Sequence, residues 1–471
     1  MSQKNETTIL ILAVLITLSL LGGGFWLFRQ TLSNWLSPGN NSSNSPASSS
    51  AQNRRSLGGT LLIPADTTPQ KQAGVKAFSD GDFKGAIAQF KSSLQIQPND
   101  PEALIYLNNA QFATQNPIKI AVVVPIGGNL DIAKEMLRGV AQGQNEINQQ
   151  GKIQGRGLQV EIVNDDNNPE TAQQVAKQLV NDSNILAVIG HNSSDATIAA
   201  VPEYQQGELV MISPTSNATA IPKRGNFIFR TVPSLRFEAD TLSRYTINKA
   251  KTTNVAVCLD STAGYSQSYK EDFTSAIYAD GGKIIEVNCD FADPNFNPNT
   301  IMSQAISSGA DGLLLIPSVD RINLALNLAQ ANRQRLSLLG SSTLYTYQTL
   351  EDGQQAVNGM VLVTPWHPDA FKNNPFPANA IRLWGGEVNW RSALSYDALQ
   401  AIIAGFKSGA ISRQGLQNAL SAQTFSSKGA TGDIQFLPSG DRNGAAILIK
   451  IEARQPSKSG TGFDFVPLSS Q

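Results

Sequence analysis

IKIAVVVP, residues 118–125, is the stretch that decides the fold of this chain. It is an apolar, β-branched run that ends in proline, which is typical of a strand buried on both faces of a parallel sheet. A glycine-rich turn at Gly127 and Gly128 follows it, and a helical pattern then extends over about 130–149. The order of strand, turn and helix predicts the first unit of an α/β fold.

The same alternation of strand and helix repeats downstream in two series. Such a pattern predicts doubly wound parallel sheets, whose binding sites lie at the carboxyl ends of the strands. Two series in one chain predict two lobes. The first series continues with LQVEIVNDD (158–166), ILAVIGHNSS (185–194), LVMISPTSN (209–217) and FIFRTVP (227–233); the second comprises NVAVCLD (254–260), KIIEVNCDF (283–291), DGLLLIPS (311–318), LSLLGSS (336–342) and GMVLVTP (359–365).

The N-terminal residues 7–28, TTILILAVLITLSLLGGGFWLF, carry no charged side chain. A helix of this length would cover about 33 Å, enough for a bilayer core of about 30 Å. A cleaved signal peptide is the alternative, but no obvious cleavage site and no cysteine for a lipid follow the apolar run. The sequence therefore favours a transmembrane signal-anchor over residues 1–29, and either alternative places the rest of the chain outside the cytoplasm.

Residues 30–69 are predicted to be a flexible linker, because 37–56 consist almost wholly of Ser, Asn, Pro and Gly. The basic pair Arg54 and Arg55 within this segment is expected to be solvated. Residues 70–116 carry small and aromatic side chains at spacings that resemble a tetratricopeptide repeat. One such repeat is not stable alone, so it must pack on the neighbouring domain or on a partner. The residues at the repeat spacing are Gly74, Ala77, Phe83, Ala86, Phe90 and Pro98.

Composition and motifs argue against nucleic-acid binding and against catalysis. Charged residues make up 15% of the chain and the net charge is −1, so no basic surface is implied. The two histidines, His191 and His367, have no metal-ligand spacing, and no nucleophile elbow or phosphate loop is present. Asp165 and Asp166 are explained more simply by helix entry than by acid–base chemistry. We predict neither an enzyme nor a cofactor nor a metal site.

Motifs in order along 118–455 resemble the type 1 periplasmic binding proteins, and most closely the leucine/isoleucine/valine-binding group of ABC importers. The resemblance implies two lobes that the chain crosses three times and that close on a solute at a three-strand hinge. The motifs that carry it are IKIAVVVPIGG (118–128), VIGHNSSDAT (188–197), VMISPTSN (210–217), FIFRTVPS (227–234) and TGDIQFLPSGDR (431–442).

The VIGHNSSDAT loop leads from a buried strand into a helix, so hydroxyls and free N–H groups gather at a helix N-terminus. Such a site attracts a carboxylate. The resemblance implies that Ser194 binds the ligand carboxylate and that Asn192 and Ser193 shape the loop. Ordinary helix capping is the structural alternative for Ser194.

The resemblance extends the predicted site to two other loops. In SPTSN (213–217), Thr215 would offer main-chain groups and Asn217 its side chain, with capping again the alternative for Thr215. In DSTAGYSQS (260–268), Tyr265 takes the position of a tyrosine that covers the ligand.

This sequence departs from the family pattern where amino-acid binders hold the ligand ammonium. GSST (340–343) carries Ser342 where an acid is expected, and Ile132 and Ala133 occupy the position of an aromatic lid residue. A buried ammonium needs a carboxylate partner, so either another acid, Asp260 or Asp320, substitutes or the ligand is not a simple branched-chain amino acid.

Arg391 and the pair of cysteines each have two alternative roles. Arg391 would either balance a second ligand carboxylate or, as we favour, form a salt bridge at the surface. The two cysteines, Cys258 and Cys289, fall on neighbouring strands of the second lobe. They would form a disulfide outside the cytosol or remain two buried thiols.

The sequence thus predicts an α/β protein of two doubly wound parallel-sheet lobes, preceded by a small all-α repeat and a single N-terminal transmembrane helix. Lobe 1 would comprise 117–235 with about 361–431, and lobe 2 would comprise 236–360 with about 432–467. The predicted function is an extracytoplasmic solute-binding receptor of an ABC importer, anchored on the periplasmic side of the inner membrane. A ligand sensor or scaffold that recruits a protein through the helical repeat is the alternative.

Overall fold

The computed structural model describes residues 54–221, 224–444 and 446–468. Within these ranges no helix is both long and apolar enough to cross a membrane. The predicted signal-anchor at 1–29 and the linker as far as residue 53 lie outside the described residues.

The first sheet has six strands in the order β1-β3-β2-β4-β5-β6. Its central strand β2 is the IKIAVVV run, and it pairs in parallel with β3 and β4. Only Lys119 of β2 is not fully buried, as expected for a strand covered by helices on both faces. The strands are β1 (Arg55–Ser56), β2 (Ile118–Val124), β3 (Leu158–Asn164), β4 (Ile185–Ile189), β5 (Met211–Ser213) and β6 (Ile228–Arg230).

The second sheet has seven strands in the order β15-β14-β11-β10-β9-β7-β8, and a short hairpin, β12-β13, stands apart. The two sheets with their helices form lobe 1 and lobe 2. The strands are β7 (Asn254–Leu259), β8 (Lys283–Ile285), β9 (Gly312–Ile316), β10 (Ser337–Gly340), β11 (Val361–Thr364), β12 (Ser427–Gly429), β13 (Gly432–Ile434), β14 (Ile447–Ala453) and β15 (Phe463–Pro467).

Helices cover the sheets and complete the two lobes. The chain crosses between the lobes three times, after β6, after β11 and after β13. After β11 it returns to lobe 1, where the long helix α13 packs on α4. After β13 it enters lobe 2 again and forms β14. The helices are α1 (Pro69–Ser79), α2 (Phe83–Ile96), α3 (Pro101–Phe112), α4 (Leu130–Gln150), α5 (Pro169–Asn181), α6 (Ser194–Gln206), α7 (Leu235–Asn248), α8 (Gly264–Ala279), α9 (Pro298–Ser307), α10 (Ile322–Asn332), α11 (Tyr347–Gly353), α12 (Pro375–Trp384), α13 (Trp390–Ser408) and α14 (Arg413–Leu420).

The prediction of purely parallel sheets is wrong at the sheet edges. Strand β1 pairs antiparallel with β3, and β14 pairs antiparallel with both β11 and β15. Strands β1 and β14 come from parts of the chain remote from β3 and β11, and β15 follows β14 as an antiparallel hairpin. None of these pairs is joined by the helical crossover that parallel strands require. Strand β11 also belongs to lobe 2, so the chain returns to lobe 1 after Thr364 and not at about 361.

The last part of the predicted linker is folded against lobe 1. Arg55 pairs with Glu161 at 2.7 Å and with Asp182 at 3.1 Å, and Arg54 forms an ion pair with Asp166. The expectation that this arginine pair is solvated is therefore wrong. The acids that bind the two arginines lie more than 100 residues away in sequence. A prediction from local composition does not take such distant partners into account.

Three helices, α1 to α3, occupy the region predicted as a helical repeat; its relation to tetratricopeptide repeats stays a prediction. Helix α3 packs on α4 and β3 of lobe 1, and nearly all of its residues are buried. The fully buried Lys71 of α1 binds Asp100 at 2.7 Å and Glu102 at 2.8 Å. Glu102 also accepts hydrogen bonds from Tyr106 and from the backbone of Leu62. A network of buried charges thus joins the helices to the segment that precedes them.

Cys258 and Cys289 form a disulfide, with their Cα atoms 4.7 Å apart. Cys258 lies on β7, and Cys289 lies beyond β8, where Asp290 makes an isolated bridge to Leu259. The disulfide alternative of the sequence analysis is therefore the one that the structure shows.

Candidate functional site

A cavity of about 340 Å³ lies between the lobes, at the carboxyl ends of strands from both sheets. Its volume is at the small end of the range for ligand pockets. All seven residues predicted for the site line it, and so do Asp260, Asp320 and Arg391. The seven are Asn192, Ser193, Ser194, Thr215, Asn217, Tyr265 and Ser342.

Helix α6 begins at the lobe 1 wall of the cavity. Ser193 caps this helix, because its hydroxyl accepts a hydrogen bond from the backbone N–H of Ala196 at 3.2 Å. Ser194 is the first helical residue, and its Oγ accepts from the N–H of Ala218 at 3.3 Å. The positive end of the helix therefore lies beside hydroxyl groups, which is a favourable place for an anion.

The loop after β5 supports this helix N-terminus. Thr215 is buried, and its hydroxyl donates to the carbonyl of Asn192 at 2.9 Å, so the side chain holds the neighbouring loop in place. Behind that loop, buried His191 contacts Asp165 at 2.7 Å and the hydroxyl of Tyr204 at 3.0 Å. His191 is thus a packed loop residue, as the sequence indicated.

Glu238 is a residue of this region that the sequence analysis missed. It is fully buried on α7, and its carboxyl accepts hydrogen bonds from Asn217 Nδ2 and from Ser342 Oγ, both at 3.3 Å. Burial raises the pKa of Glu238 to about 8, although both hydrogen bonds oppose the shift. The signal in the sequence was an acid on the apolar face of a helix, three residues after Leu235 and four before Leu242.

Lobe 2 contributes Tyr265 and Ser342 to the opposite wall. The Tyr265 hydroxyl is buried and has no hydrogen bond of normal geometry within the described ranges, although the hydroxyls of Ser341 and Thr343 lie nearby. Burial raises the pKa of Tyr265 to about 12, and the charge of Glu238 adds to the shift. The hydroxyl is therefore a neutral donor or acceptor available to a ligand.

Arg391 enters the same cavity from the start of α13. Its side chain is 2% exposed, its Cζ lies 4.5 Å from the centroid of the Trp390 ring, and Nη1 donates to the Tyr345 carbonyl at 3.4 Å. Among the described residues it has no salt bridge, and its Nε makes no hydrogen bond. The expectation of a surface salt bridge is wrong, because lobe 2 packs over the side chain. Burial lowers the pKa of Arg391 to about 10, so it stays charged at neutral pH.

Acidic side chains line another part of the cavity. Asp260 Oδ1 accepts hydrogen bonds from the N–H and the hydroxyl of Thr262, at 3.0 and 2.6 Å. Burial raises the pKa of Asp320, with the charge of Arg321 opposing the shift and that of Asp260 adding to it. Both acids line the cavity and can therefore pair with a cation bound in it. Ile132 lies instead in a neighbouring cavity of about 380 Å³, which Arg391 also lines.

Asp195 links the two lobes across the cavity. Its Oδ2 accepts from the backbone N–H of Gly264 at 3.3 Å, at the start of α8 in lobe 2. Helix α8 has no cap of its own, since Ala263 occupies that position. Burial raises the pKa of Asp195, and the nearby charge of Asp260 adds to the shift. A side chain of lobe 1 thus caps a helix of lobe 2, a contact that requires the lobes to be close together.

The arrangement suits reversible binding of a small polar molecule. Hydroxyls, amides, acids and two arginines surround the cavity, and no group of three His, Cys, Asp or Glu within the described ranges could hold a metal ion. Polar groups that converge from two separate lobes can enclose a solute and hold it in one orientation.

Comparisons with known proteins agree with the fold. Residues 117–451 match the periplasmic binding protein family. The Leu/Ile/Val-binding protein of Escherichia coli K12 is 26% identical over 311 residues, which cover 64% of this chain and 82% of that protein. A leucine-, isoleucine-, valine-, threonine- and alanine-binding protein of Pseudomonas aeruginosa is 25% identical over 336 residues, 69% of this chain and 87% of that one.

A solved structure shares the architecture at lower sequence identity. The leucine-binding protein of Thermotoga maritima superposes with a TM-score of 0.65 at 20% identity, covering 74% of this chain and 97% of that one. Since the family match spans well over half of the chain, together with its two lobes and the cavity between them, this chain belongs to the periplasmic binding protein family.

Proposed function

We propose that this chain is the solute-binding receptor of an ABC importer and that it captures an amino acid or a similar small molecule between its lobes. The observation that carries the proposal is the cavity lined from both lobes, with the N-terminal end of α6 at one wall. The curated relatives are named for the amino acids that they bind. A receptor of this kind closes on its solute and presents both lobes to a membrane permease.

Each predicted residue has a role in this proposal. Ser194 and the free N–H groups of α6 bind a ligand carboxylate, while Asn192 and Ser193 shape the loop. Thr215 and Asn217 line the same wall of lobe 1.

Two residues of lobe 2 complete the proposed site. Tyr265 covers the ligand with a buried hydroxyl that is free to bind it. Ser342 presents a hydroxyl where related receptors would carry an acid. Asp260 and Asp320, which also line the cavity, would bind a ligand ammonium.

The proposal also includes a location. Residues 1–29 would anchor the receptor in the inner membrane, with its lobes on the periplasmic side. The solute, the membrane and the permease are then its partners, and the helical unit α1 to α3 would bind one more protein.

Calorimetric titration and thermal unfolding of the full chain, purified in detergent, test the proposal. We expect one solute of a panel of amino acids, small amides and carboxylates to bind and to raise the melting temperature. At a hundredfold excess over Kd, the bound solute should add about 3 kcal/mol to the free energy of unfolding. Ser194→Ala should weaken binding about tenfold, because a hydrogen bond to a charged group is lost. Ser303→Ala, at an exposed position on α9, is the matched control. Failure of every solute to bind would contradict the proposal.

A sensor or scaffold is the second candidate, and the packing of α3 into lobe 1 favours it, because a protein bound to the helices would contact the solute-binding lobe directly. Uptake of the bound solute by cells that lack this chain separates the two functions. Loss of uptake indicates a transport receptor, whereas unchanged uptake indicates a sensor.

A further inference from the structure

Arg391 is a buried cation whose charge no described side chain neutralises. The nearest acid that influences it, Glu135, is already engaged: it pairs with Arg138 at 2.6 Å and accepts hydrogen bonds from the hydroxyl of Ser392 and the backbone N–H of Asn389. Tyr345 offers only a carbonyl oxygen at 3.4 Å, and Nε has no partner. A guanidinium buried in this way needs an anion that the protein itself does not supply.

The acids of the cavity do not fill this role. The pKa of Asp320 responds to Arg321 and Asp260, and that of Asp195 responds to Asp260. Among the described residues, none of these acids forms a salt bridge with Arg391. The side chains whose charges act on the pKa of Arg391 are Glu135 and Tyr265.

We infer that the cavity takes a dicarboxylic solute, with one carboxylate at the N-terminal end of α6 and the other on the guanidinium of Arg391. The inference rests on the proposed function and specifies its ligand class. A guanidinium binds a carboxylate through two parallel hydrogen bonds, and burial strengthens them. A cavity of about 340 Å³ holds a small solute of this kind. Ser342 in place of an acid is consistent with a ligand recognised mainly through its anionic groups.

Four solutes that differ only by an amine and a second carboxylate test the inference: glutamate, norvaline, glutarate and pentanoate. Their affinities for the full chain are measured by calorimetric titration. We expect glutamate to bind at least about 30-fold more tightly than norvaline, or glutarate at least about 30-fold more tightly than pentanoate, since a buried charge pair is gained. A gain in either pair supports the inference. The amine comparison shows whether the solute is an amino acid or a plain dicarboxylate.

Variants assign that gain to one side chain. Arg391→Gln should remove the preference for the second carboxylate while binding of the monocarboxylic partner changes less than about threefold, and Arg391→Lys should retain part of it. Arg244→Gln, at an exposed arginine of α7, is the control that should keep the full preference. A purely structural role for Arg391 would weaken all four solutes alike and would overturn the inference.

Failure of the inference and failure of the proposed function give different results. If both monocarboxylic solutes bind the unmodified chain as tightly as their dicarboxylic partners, the inference is wrong and the receptor function stands. This comparison needs no variant, so it does not depend on whether Arg391→Gln folds. If no solute of the wider panel binds, the proposed function fails and the inference fails with it.

Discussion

Replacing Glu238 by glutamine should make the protein more stable above pH 5, by an amount that grows with pH. The pKa of this carboxyl is about 8 in the folded protein, against an ordinary value of 4.5. Below pH 4.5 the group is protonated in both states and contributes nothing. Between pH 4.5 and 8 the unfolded chain releases the proton while the folded protein keeps it, so folding loses stability as the pH rises.

The size of the effect follows from the same two pKa values. One pKa unit corresponds to about 1.4 kcal/mol, so the 2.5 units between 4.5 and 7 amount to roughly 3 kcal/mol at pH 7. Above pH 8 the cost levels off near roughly 5 kcal/mol. Glutamine does not titrate, and it can accept from Asn217 and donate to Ser342, as the protonated acid would. The variant should therefore be free of this cost.

Chemical denaturation of both proteins between pH 5 and 8.5 measures the difference directly. Glu286→Gln, at an exposed position after β8, controls for the loss of one negative charge. A difference between Glu238→Gln and the unmodified chain that stays constant with pH would refute the reasoning. A variant that becomes less stable than the unmodified chain as the pH rises would show instead that the carboxylate is ionised and paired.

Three further predictions concern other parts of the structure. Lys71→Met should cost about 3–5 kcal/mol of unfolding free energy, because it leaves two buried carboxylates without their cation; a loss below 1 kcal/mol in denaturant titration would contradict the ion-pair assignment. Reducing the Cys258–Cys289 disulfide, which closes a loop with a sequence separation of 31, should cost about 3–4 kcal/mol, and unfolding curves that are identical with and without reductant would argue against it. Asp195→Ala should favour separation of the lobes, since α8 loses its only cap, and X-ray scattering should give a larger radius of gyration without ligand; an unchanged radius would show that the contact to Gly264 does not hold the lobes together.

Local sequence patterns were enough to predict most of the fold. The run IKIAVVV forms a central strand because its length and β-branched residues specify burial on both faces, and each later apolar run marks a strand in the same way. The antiparallel pairings of β1 with β3 and of β14 with β11 were not predictable by this route, since the partners lie far apart in sequence.

The site was predicted only in part, for a related reason. Its loops follow strand ends, and parallel strands bring such ends to one edge, so Ser194, Thr215 and Tyr265 line one cavity as expected. Glu238 and Arg391 are buried by elements remote from them in the chain. Burial of a charged side chain depends on that tertiary packing. The sequence around Arg391 indicates an ordinary surface position, whereas that around Glu238 places the acid on an apolar helix face without showing what covers it.

The attachment of the N-terminal segment to lobe 1 has a mechanical consequence. Strand β1, the Arg55 ion pairs and the buried helix α3 all fasten the beginning of the described chain to the first sheet. A force applied to the chain at Arg54 is therefore transmitted to lobe 1 and does not pass through the three connections between the lobes. Lobe 1 therefore stays fixed relative to the N-terminal segment. When the cleft opens, lobe 2 rotates relative to lobe 1.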